Sequence, residues 1–171
     1  MGSSVIAAAC ETSYLCVPSY VIMENAYKIE TSPDHYQVMQ WLDDGLYDHN
    51  SKKIEKYDGS NFSRVVRSEG RALIGGIAGW TWAGACEITH LWIDERFRGQ
   101  GIGKMLLEAA EAEARGHGCR IIMVRSFSFQ APAFYERHGY RTEYRLESFP
   151  AGYGHHTLTK AITYPAENPG I

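Results

Sequence analysis

A glycine-rich turn between a strand-like and a helix-like stretch constrains this chain more than any other feature. Residues 98–104 read Arg-Gly-Gln-Gly-Ile-Gly-Lys, after the strand-like residues 86–93 and before the helix-like residues 105–115. Glycines let the backbone approach a ligand closely, and the first N–H groups of a helix lack intrahelical partners and lie at the positive end of its dipole. The pattern therefore predicts a site for a phosphate or pyrophosphate group.

The positions of the glycines distinguish between phosphate-binding motifs. A P-loop requires glycine where Arg98 stands and serine or threonine where Met105 stands, and a dinucleotide fingerprint requires glycine where Lys104 stands. The spacing that fits is Arg98-x-x-Gly101-x-Gly103, which matches the pattern R/Q-x-x-G-x-G/A. In this run the chain resembles the acetyl-CoA pyrophosphate motif of the GNAT acetyltransferase superfamily.

A second motif lies downstream, in residues 128–140. Members of the family often carry N-x-x-A-x-x-F/L-Y-x-x-x-G-F/Y at this separation from the glycine turn, and this chain has Ser128 in place of the asparagine. The alanine, aromatic, tyrosine and glycine positions match at Ala131, Phe134, Tyr135 and Gly139. With both motifs in place, the resemblance extends over residues 26–162.

The succession of elements predicts an α/β domain. Hydrophobic periodicity predicts strands at residues 26–30, 62–67, 71–82, 85–93, 119–127, 141–146 and 155–160, and helices at residues 34–47, 102–115 and 131–138. The resemblance implies a GNAT-like mixed, mostly antiparallel central sheet with a splayed strand pair and flanking helices. We expect this domain to span residues 26–162, with an N-terminal extension at residues 1–25 and a C-terminal tail at residues 163–171.

Composition narrows the class of protein and its partners. The 171 residues carry a net charge of −3 without a basic stripe, which argues against a nucleic-acid partner. No apolar run reaches transmembrane length, so we expect no membrane partner. The four cysteines form no C-x-x-C pair, which argues against a metal site and favours a reducing, cytoplasmic setting. A C2 homodimer is expected only because it is the commonest assembly.

Acetyl transfer to an amine needs a base, because most free alkylamines are protonated at neutral pH. Glu87 is the candidate, since it lies eleven residues before Arg98, the spacing at which several family members carry a glutamate base. The alternatives are a carboxylate acting through water and a solvated charge at a strand end. Strict alternation along the strand places His90 on the face opposite Glu87, so His90 is the less favoured base.

The resemblance also implies the contacts to acetyl-CoA. In family members the tyrosine equivalent to Tyr135 lies near the CoA sulfur and is the candidate acid, although packing of its ring alone would account for it. The strand backbone around Trp92 is expected to bulge, splay and pair with the pantetheine arm, while one of its amides polarises the thioester. The residues expected to bind acetyl-CoA are Leu91, Trp92, Ile93, Arg98, Gly99, Gln100, Gly101, Ile102, Gly103, Lys104, Ser128 and Tyr135.

The acceptor cleft is expected beside the first helix. Three carboxylates and an aromatic ring fall within eight residues of that helix, a combination that suits a cationic amine. A solvated helix end accounts for the same charges equally well. By family topology one histidine at the start of the last strand would also contact the substrate, and neither histidine is expected to bind metal. The residues concerned are Trp41, Asp43, Asp44, Asp48, His155 and His156.

Together these residues predict an acetyl-CoA-dependent N-acetyltransferase. The expected reaction moves acetyl to a primary amine of a cationic small molecule by direct transfer in a ternary complex, since no cysteine stands where a covalent intermediate is obvious. An aminoglycoside or aminosugar antibiotic is the expected acceptor, which would make the protein an antibiotic-resistance enzyme. The alternatives are an N-acetyltransferase acting on peptide or protein amines and a non-catalytic acyl-CoA-binding sensor. Glu87 and Tyr135 argue against the sensor.

Overall fold

A computed structural model describes residues 27–164, so the predicted extension at residues 1–25 and residues 165–171 of the tail lie outside the described residues. The described residues divide into two units after Tyr47. The elements in chain order are α1 (His35–Ile54), β1 (Ser60–Arg67), β2 (Leu73–Trp82), β3 (Ala85–Ile93), a 3₁₀ turn (Glu95–Phe97), α2 (Ile102–Gly116), β4 (Ile121–Phe127), α3 (Pro132–Arg137), β5 (Arg141–Glu147) and β6 (Gly154–Ala161).

The strands β1 to β6 form one sheet in the order β1-β2-β3-β4-β6-β5. Every neighbouring pair is antiparallel except β3 and β4, which run parallel. Parallel strands need a crossover connection, and helix α2 supplies it between β3 and β4. The mixed, mostly antiparallel sheet with one central crossover confirms the predicted fold class.

Helix α2 covers one face of this sheet with an apolar stripe. Its buried side chains recur at the spacing of one helix face and are Leu106, Leu107, Ala110, Glu111 and Ala114. They meet core side chains of the sheet, among them Ile88 and Ile122, which are 2% and 0% exposed. Each aliphatic side chain buried in this way contributes roughly 1.5–3 kcal/mol relative to full exposure. This packing holds α2 against β3 and so fixes the glycine turn beside that strand.

The parallel pair β3–β4 separates halfway along its length. Pairing joins residues 85–88 of β3 to residues 121–124 of β4 and ends there. The remaining residues of the two strands, 89–93 and 125–127, continue without pairing to each other. The ends of the strands therefore diverge, as the resemblance implies, and the backbone edge of β3 on that side has no strand partner among residues 27–164.

A β-bulge interrupts β3 at the same point. Ala78 of β2 pairs with His90, and the next residue, Gly79, pairs with Ile88, so Thr89 is an extra residue outside the pairing register. A Cβ built on Gly79 would collide with the backbone of β3, which shows how closely the two strands approach there. Because a bulge inserts one residue, it reverses the alternation of the side chains that follow it.

The bulge places His90 on the same face of the sheet as Glu87. Glu87 pairs with Trp80 and His90 pairs with Ala78, and the two residues of β2 share a face because they are two apart. Leu91 instead lies on the opposite face and packs against the buried core. The predicted orientation of His90 is therefore wrong, because strict alternation assumes an uninterrupted strand.

Helix α1 is longer and more exposed than the sequence predicts. It continues to Ile54 rather than ending near residue 47, so the predicted aspartates lie within the helix and not at its end. Asp34 accepts a hydrogen bond from the Gln37 N–H at 2.9 Å and caps the first turn. Ser51 is the one buried residue of this helix. The apolar side chains along this helix recur at the spacing of one helix face, which predicts their burial. They are exposed instead, namely Tyr36, Met39, Leu42 and Leu46.

The N-terminal strand predicted at residues 26–30 does not form within the described residues, where Lys28 makes a single isolated bridge. The other predicted strands and helices are present, and apart from α1 their ends differ from the prediction by at most two residues. None of the helices between residues 27 and 164 is long and apolar enough to cross a membrane.

Candidate active site

A cleft of about 700 Å³ opens between the diverging ends of β3 and β4. Its walls come from residues 88–93 of β3 and residues 124–126 of β4, and the loop and helix that follow β4 form a third side. Arg98 and Gly103 of the glycine turn also line it. Small-molecule sites occupy roughly 300–1,000 Å³, so the cleft has the size of a binding site.

Two glycines of the turn adopt backbone conformations that other residues rarely reach. Gly99 and Gly101 have φ values of 75° and 82°, in the left-handed region. No atom lies within 4 Å of a Cβ built on either residue, so conformation rather than crowding requires glycine at both. The first bond of α2 runs from the Met105 N–H to the Gly101 carbonyl at 3.1 Å. The amides of residues 102–104 therefore have no acceptor within the helix.

Arg98 and Gly103 attach the turn to the cleft. The Arg98 Nε donates a hydrogen bond to the Ile93 carbonyl oxygen at 3.0 Å, which ties the turn to the end of β3. A Cβ built on Gly103 would lie 3.3 Å from Ile93 and 3.4 Å from Phe134, so a small residue lets α2 begin against both elements. The other predicted residues of the turn lie outside the cleft lining, and these are Gly99, Gln100, Gly101, Ile102 and Lys104.

Each positive side chain near the turn has an acidic neighbour. Arg96 binds Asp94 at 2.7 Å, and this guanidinium lowers the pKa of the Asp94 carboxyl to about 2. Arg98 and Lys104 lie 3.5 Å and 3.7 Å from glutamates on their own segments, and their side chains are 53% and 61% exposed. Exposed pairs of this kind are weak, so both cations stay available to an anion.

Glu87 is buried and paired rather than solvated at a strand end. Its side chain is 10% exposed, and its Oε1 accepts a hydrogen bond from Arg125 Nη2 at 2.7 Å. Arg125 stands on β4 one residue beyond the last β3–β4 pair and lines the cleft, whereas Glu87 does not. A carboxylate that leaves water needs such a partner. Glu87 is therefore connected to the cleft by its ion pair with Arg125, which lines it.

His90 lines the cleft, and its side chain is exposed. Its Nδ1 lies 2.9 Å from the Thr89 Oγ1, and the same hydroxyl donates to the Ala78 carbonyl oxygen at 3.1 Å. Thr89, the residue that the bulge adds to β3, therefore holds the His90 imidazole through the threonine hydroxyl. The resemblance predicted a bulge in this strand around Trp92, but the residue pattern of a single strand does not show that the bulge falls at Thr89, so the contact to His90 was not predicted.

Tyr135 is packed in the core and also lines the cleft. Its ring packs against Phe134 and Tyr140, with centroid distances of 5.2 Å and 5.7 Å, and the residue is 6% exposed. Burial raises the pKa of its hydroxyl to about 12. At neutral pH the hydroxyl is therefore protonated and able to donate.

Ser128, the predicted pantetheine contact, holds the loop that follows β4. Its Oγ accepts the Gly154 N–H at 3.0 Å, and its own N–H donates to the Gly154 carbonyl at 2.8 Å. Ser128 does not line the cleft, and Ser126 stands there instead, where its hydroxyl accepts the Ala131 N–H at 3.3 Å. The family motif marks position 128 and carries no signal for position 126.

The loop between β4 and α3 adds cleft residues that the sequence did not predict. Phe129 and Gln130 both line the cleft. The Gln130 Oε1 accepts the Phe127 N–H at 2.9 Å, and the ring of Phe129 stacks on that of Phe127 at a centroid distance of 5.2 Å. These contacts fix the loop beside the diverging strands.

The two histidines of β6 lie on opposite faces of the sheet, because neighbouring strand residues alternate. His155 packs its ring against Phe127 at a centroid distance of 4.5 Å. The Nδ1 of His156 is buried and has no hydrogen-bond partner among residues 27–164. Neither histidine lines the cleft, so the structure does not bring them together with Tyr135.

The predicted acceptor residues of the first helix divide between two of its faces. Trp41 and Asp44 are three residues apart and share a face, and Asp48 follows one turn later, whereas Asp43 lies on another face. Trp41 is 73% exposed, and the three aspartates are exposed as well. We call Trp41, Asp44 and Asp48 the acidic face of α1.

Cys86 and Cys119 are buried and carry free thiols. Burial raises the pKa of Cys86 to about 12, and negative charges near it add to the effect. Burial likewise raises the pKa of the Cys119 thiol, with a further contribution from Asp58. Neither thiol lines the cleft, and Cys10 and Cys16 lie outside the described residues.

Residues 23–140 match the model of the acetyltransferase (GNAT) family, and the chain belongs to that family. It is therefore an acetyltransferase, which confirms the predicted family and the predicted class of enzyme. Members of this family use acetyl-CoA as the donor.

The chain is similar to named acetyltransferases from three bacteria. It is 39% identical over 94 residues to the blasticidin-S acetyltransferase of Streptomyces morookaense, a match that covers 53% of this chain and 67% of the relative. It is 32% identical over 97 residues to an acetyltransferase of Agrobacterium fabrum, over 57% of this chain and 71% of the relative. A crystal structure of an acetyltransferase from Bacillus cereus matches with a TM-score of 0.65 and 31% identity, over 78% of this chain and 98% of that one.

Proposed function

We propose that this protein transfers acetyl from acetyl-CoA to a primary amine of a cationic small molecule, by direct transfer in a ternary complex. The proposed acceptor is an antibiotic of the aminoglycoside or aminosugar type. The observation that carries the proposal is the divergence of β3 and β4 directly beside the glycine turn. The similarity to the blasticidin-S acetyltransferase supports an antibiotic as the acceptor.

The glycine turn and β3 fit the donor. The left-handed glycines leave open space beside the backbone, and three helix amides lack intrahelical acceptors, which suits a pyrophosphate. Beyond Ile88 the edge of β3 at the cleft has no strand partner within the described part of the chain, so its N–H and C=O groups can pair with an extended arm. The Leu91 or Ile93 amide would then donate to the thioester oxygen and stabilise the charge that develops there.

Two proton transfers fall to Glu87 and Tyr135 in this proposal. Glu87 is the base for the amine proton, and because its carboxylate does not line the cleft, it acts through an intermediate group. Tyr135 lines the cleft with a protonated hydroxyl, and it donates to the departing sulfur. The amine nitrogen attacks the acetyl carbonyl directly, since both thiols among residues 27–164 are buried outside the cleft lining.

A thiol-release assay with acetyl-CoA tests the proposed function. Wild-type protein is incubated with acetyl-CoA and, in separate reactions, blasticidin S, an aminoglycoside, a polyamine and a peptide with a free N-terminus. We expect acceptor-dependent CoA release with the cationic antibiotics. Release with the peptide alone would favour peptide amines as acceptors. Binding of acetyl-CoA without release in any reaction would favour a non-catalytic sensor.

Tyr135→Phe is expected to lower kcat by roughly 10²-fold with little change in acetyl-CoA affinity, because the ring keeps its packing and the donor is lost. Steady-state kinetics and calorimetric titration with acetyl-CoA measure the two effects. Tyr140→Phe is the matched control, since it removes the same atom from a neighbouring buried ring that does not line the cleft. If Tyr135→Phe and Tyr140→Phe lost kcat equally, the role of Tyr135 would be packing alone.

Replacing Cys86 and Cys119 together by alanine is expected to keep kcat close to the wild-type value, because neither thiol would carry the acetyl group. The smaller side chains leave cavities, so a lower Tm should accompany the unchanged rate. Initial rates at several concentrations of both substrates should give intersecting reciprocal plots in wild type and variant. Parallel plots, or loss of turnover in a folded variant, would contradict direct transfer.

Neutralising the acidic face of α1 with Asp44→Asn and Asp48→Asn is expected to raise KM for the acceptor about tenfold or more, because each contact contributes at most about 1 kcal/mol when exposed and more when desolvated. Acetyl-CoA affinity should not change, and high salt should reduce the effect. Asp43→Asn removes one such charge from another face and should raise KM less. If the double variant keeps the wild-type KM for the acceptor at low salt, these carboxylates do not bind the acceptor and are only solvated surface groups.

A further inference from the structure

Two hydrogen bonds determine where the proton lies on the imidazole of His90. The Thr89 hydroxyl lies 3.1 Å from the Ala78 carbonyl oxygen and 2.9 Å from the His90 Nδ1. A carbonyl oxygen only accepts, so the single hydroxyl proton goes to Ala78. The second contact is then a hydrogen bond only if Nδ1 carries a proton and donates it to Thr89. In the neutral imidazole Nε2 is left with a free electron pair.

We infer that His90 receives the proton of the acceptor amine at Nε2, and that Thr89 is the positioning residue that maintains the required tautomer. This inference rests on the proposed function. In the step, an N–H bond of the acceptor ammonium breaks and its electron pair remains on nitrogen, which becomes the nucleophile. A new N–H bond forms at Nε2. The product is an imidazolium that still donates to Thr89 through Nδ1.

The position of His90 suits this role better than that of Glu87. His90 is exposed and lines the cleft, whereas Glu87 is 8% exposed, is bound to Arg125 and does not line it. Because of the bulge, the side chains of Glu87 and His90 lie on one face of the sheet, since their partners on β2 are two residues apart. The Glu87 carboxylate then stabilises the imidazolium from the same face. His90 is thus the intermediate group through which Glu87 acts.

The charged groups beside His90 come from two strands. Glu87 on its own strand and Arg125 on β4 lie on this face as an ion pair, so they contribute opposite charges. The neighbouring strand β2 contributes Ala78 and Trp80, neither of which titrates. No titratable side chain of β2 therefore competes with His90 for the proton.

Nitrogen-15 chemical shifts of labelled histidine test the tautomer without any enzymatic turnover. His90→Gln identifies the signal of this residue among the seven histidines. When the His90 imidazole of the wild type is neutral, we expect a protonated Nδ1 and an unprotonated Nε2. Thr89→Val should remove the preference, and Thr89→Ser should restore it because the hydroxyl returns. A wild-type signal with the proton on Nε2 would overturn the inference.

Kinetics test the proton transfer itself. His90→Gln is expected to lower kcat by roughly 10²-fold and to change the pH profile of kcat, because the group that takes the proton is lost. Thr89→Val should lower kcat by roughly tenfold, with recovery in Thr89→Ser. His117→Gln, an exposed histidine at the end of α2, is the control and should keep both kcat and the profile.

The outcomes separate this inference from the proposed function. If wild type acetylates an amine while His90→Gln keeps the wild-type kcat and pH profile, His90 does not take the proton and the proposed function stands. If wild type acetylates no amine although the tautomer is as expected, the proposed function fails and the proton transfer inferred from it fails too.

Discussion

Gly101→Asp is expected to abolish measurable acetyl-CoA binding. Gly101 precedes α2 with a φ of 82°, and a Cβ there meets no atom within 4 Å, so charge and backbone conformation rather than crowding decide the effect. The carboxylate would face the pyrophosphate at the helix N-terminus, where like charges in contact cost several kcal/mol. Calorimetric titration should show an affinity lower by roughly 10²-fold or more.

Gly101→Asn is the matched control for this variant. Asparagine has nearly the shape of aspartate and tolerates the left-handed conformation comparably, but it carries no charge. It should retain most of the affinity that Gly101→Asp loses, and the two Tm values should be similar. Gly103→Asp should also fail to bind, with the added effect that its Cβ would crowd Ile93 and Phe134. If Gly101→Asp bound acetyl-CoA as tightly as the wild type, the pyrophosphate would not bind at this turn.

Glu87→Gln is expected to lower kcat by roughly 10²–10⁴-fold, the range for loss of general acid–base catalysis. Residue Glu87 is 8% exposed, pairs with Arg125 and shares a sheet face with His90, so removal of its carboxylate takes away the negative charge that favours proton transfer from the amine. The deficit should shrink at high pH, where more of the acceptor is already neutral. A series of kcat measurements across pH checks both expectations.

A second buried ion pair offers the control for Glu87. Glu111 is 7% exposed and binds the Lys160 Nζ at 2.7 Å, and Glu111 lies on α2, outside the cleft lining. Glu111→Gln therefore breaks a pair of the same type, and both variants should lose stability because each leaves a cation unpaired. Only Glu87→Gln should lose kcat. Similar kcat values in the two folded variants would show that Glu87 takes no part in the proton transfer.

The fold was predictable where the signals are local. Strand β3 begins at Ala85 and α2 at Ile102, as hydrophobic periodicity and the glycine turn indicate. The length of α1 was not predictable in this way, because Gly45 and the aspartates around it weaken the helical pattern, yet the helix continues through them to Ile54. Burial of its apolar side chains depends on packing partners, which one amphipathic segment does not specify.

In the candidate site, too, features with a local signal were predictable from the sequence, and features that depend on distant residues were not. Gly99 and Gly101 are recognisable because their left-handed conformations require glycine in a local turn. The bulge at Thr89 and the ion pair between Glu87 and Arg125 instead depend on the register of strands, and the two charged residues are 38 positions apart. A pattern in one strand carries no information about its register with another strand, so the sequence indicated the carboxylate without its partner.

Hydrogen exchange with and without acetyl-CoA, followed by mass spectrometry of peptides, tests most directly the claim that the donor binds between β3 and β4. We expect slower exchange with acetyl-CoA in residues 89–93 of β3 and in residues 99–105 of the turn and α2. Strand β1 is at the far edge of the sheet and should not change. Unchanged exchange in both segments, at an acetyl-CoA concentration that saturates the protein by calorimetry, would contradict the claim.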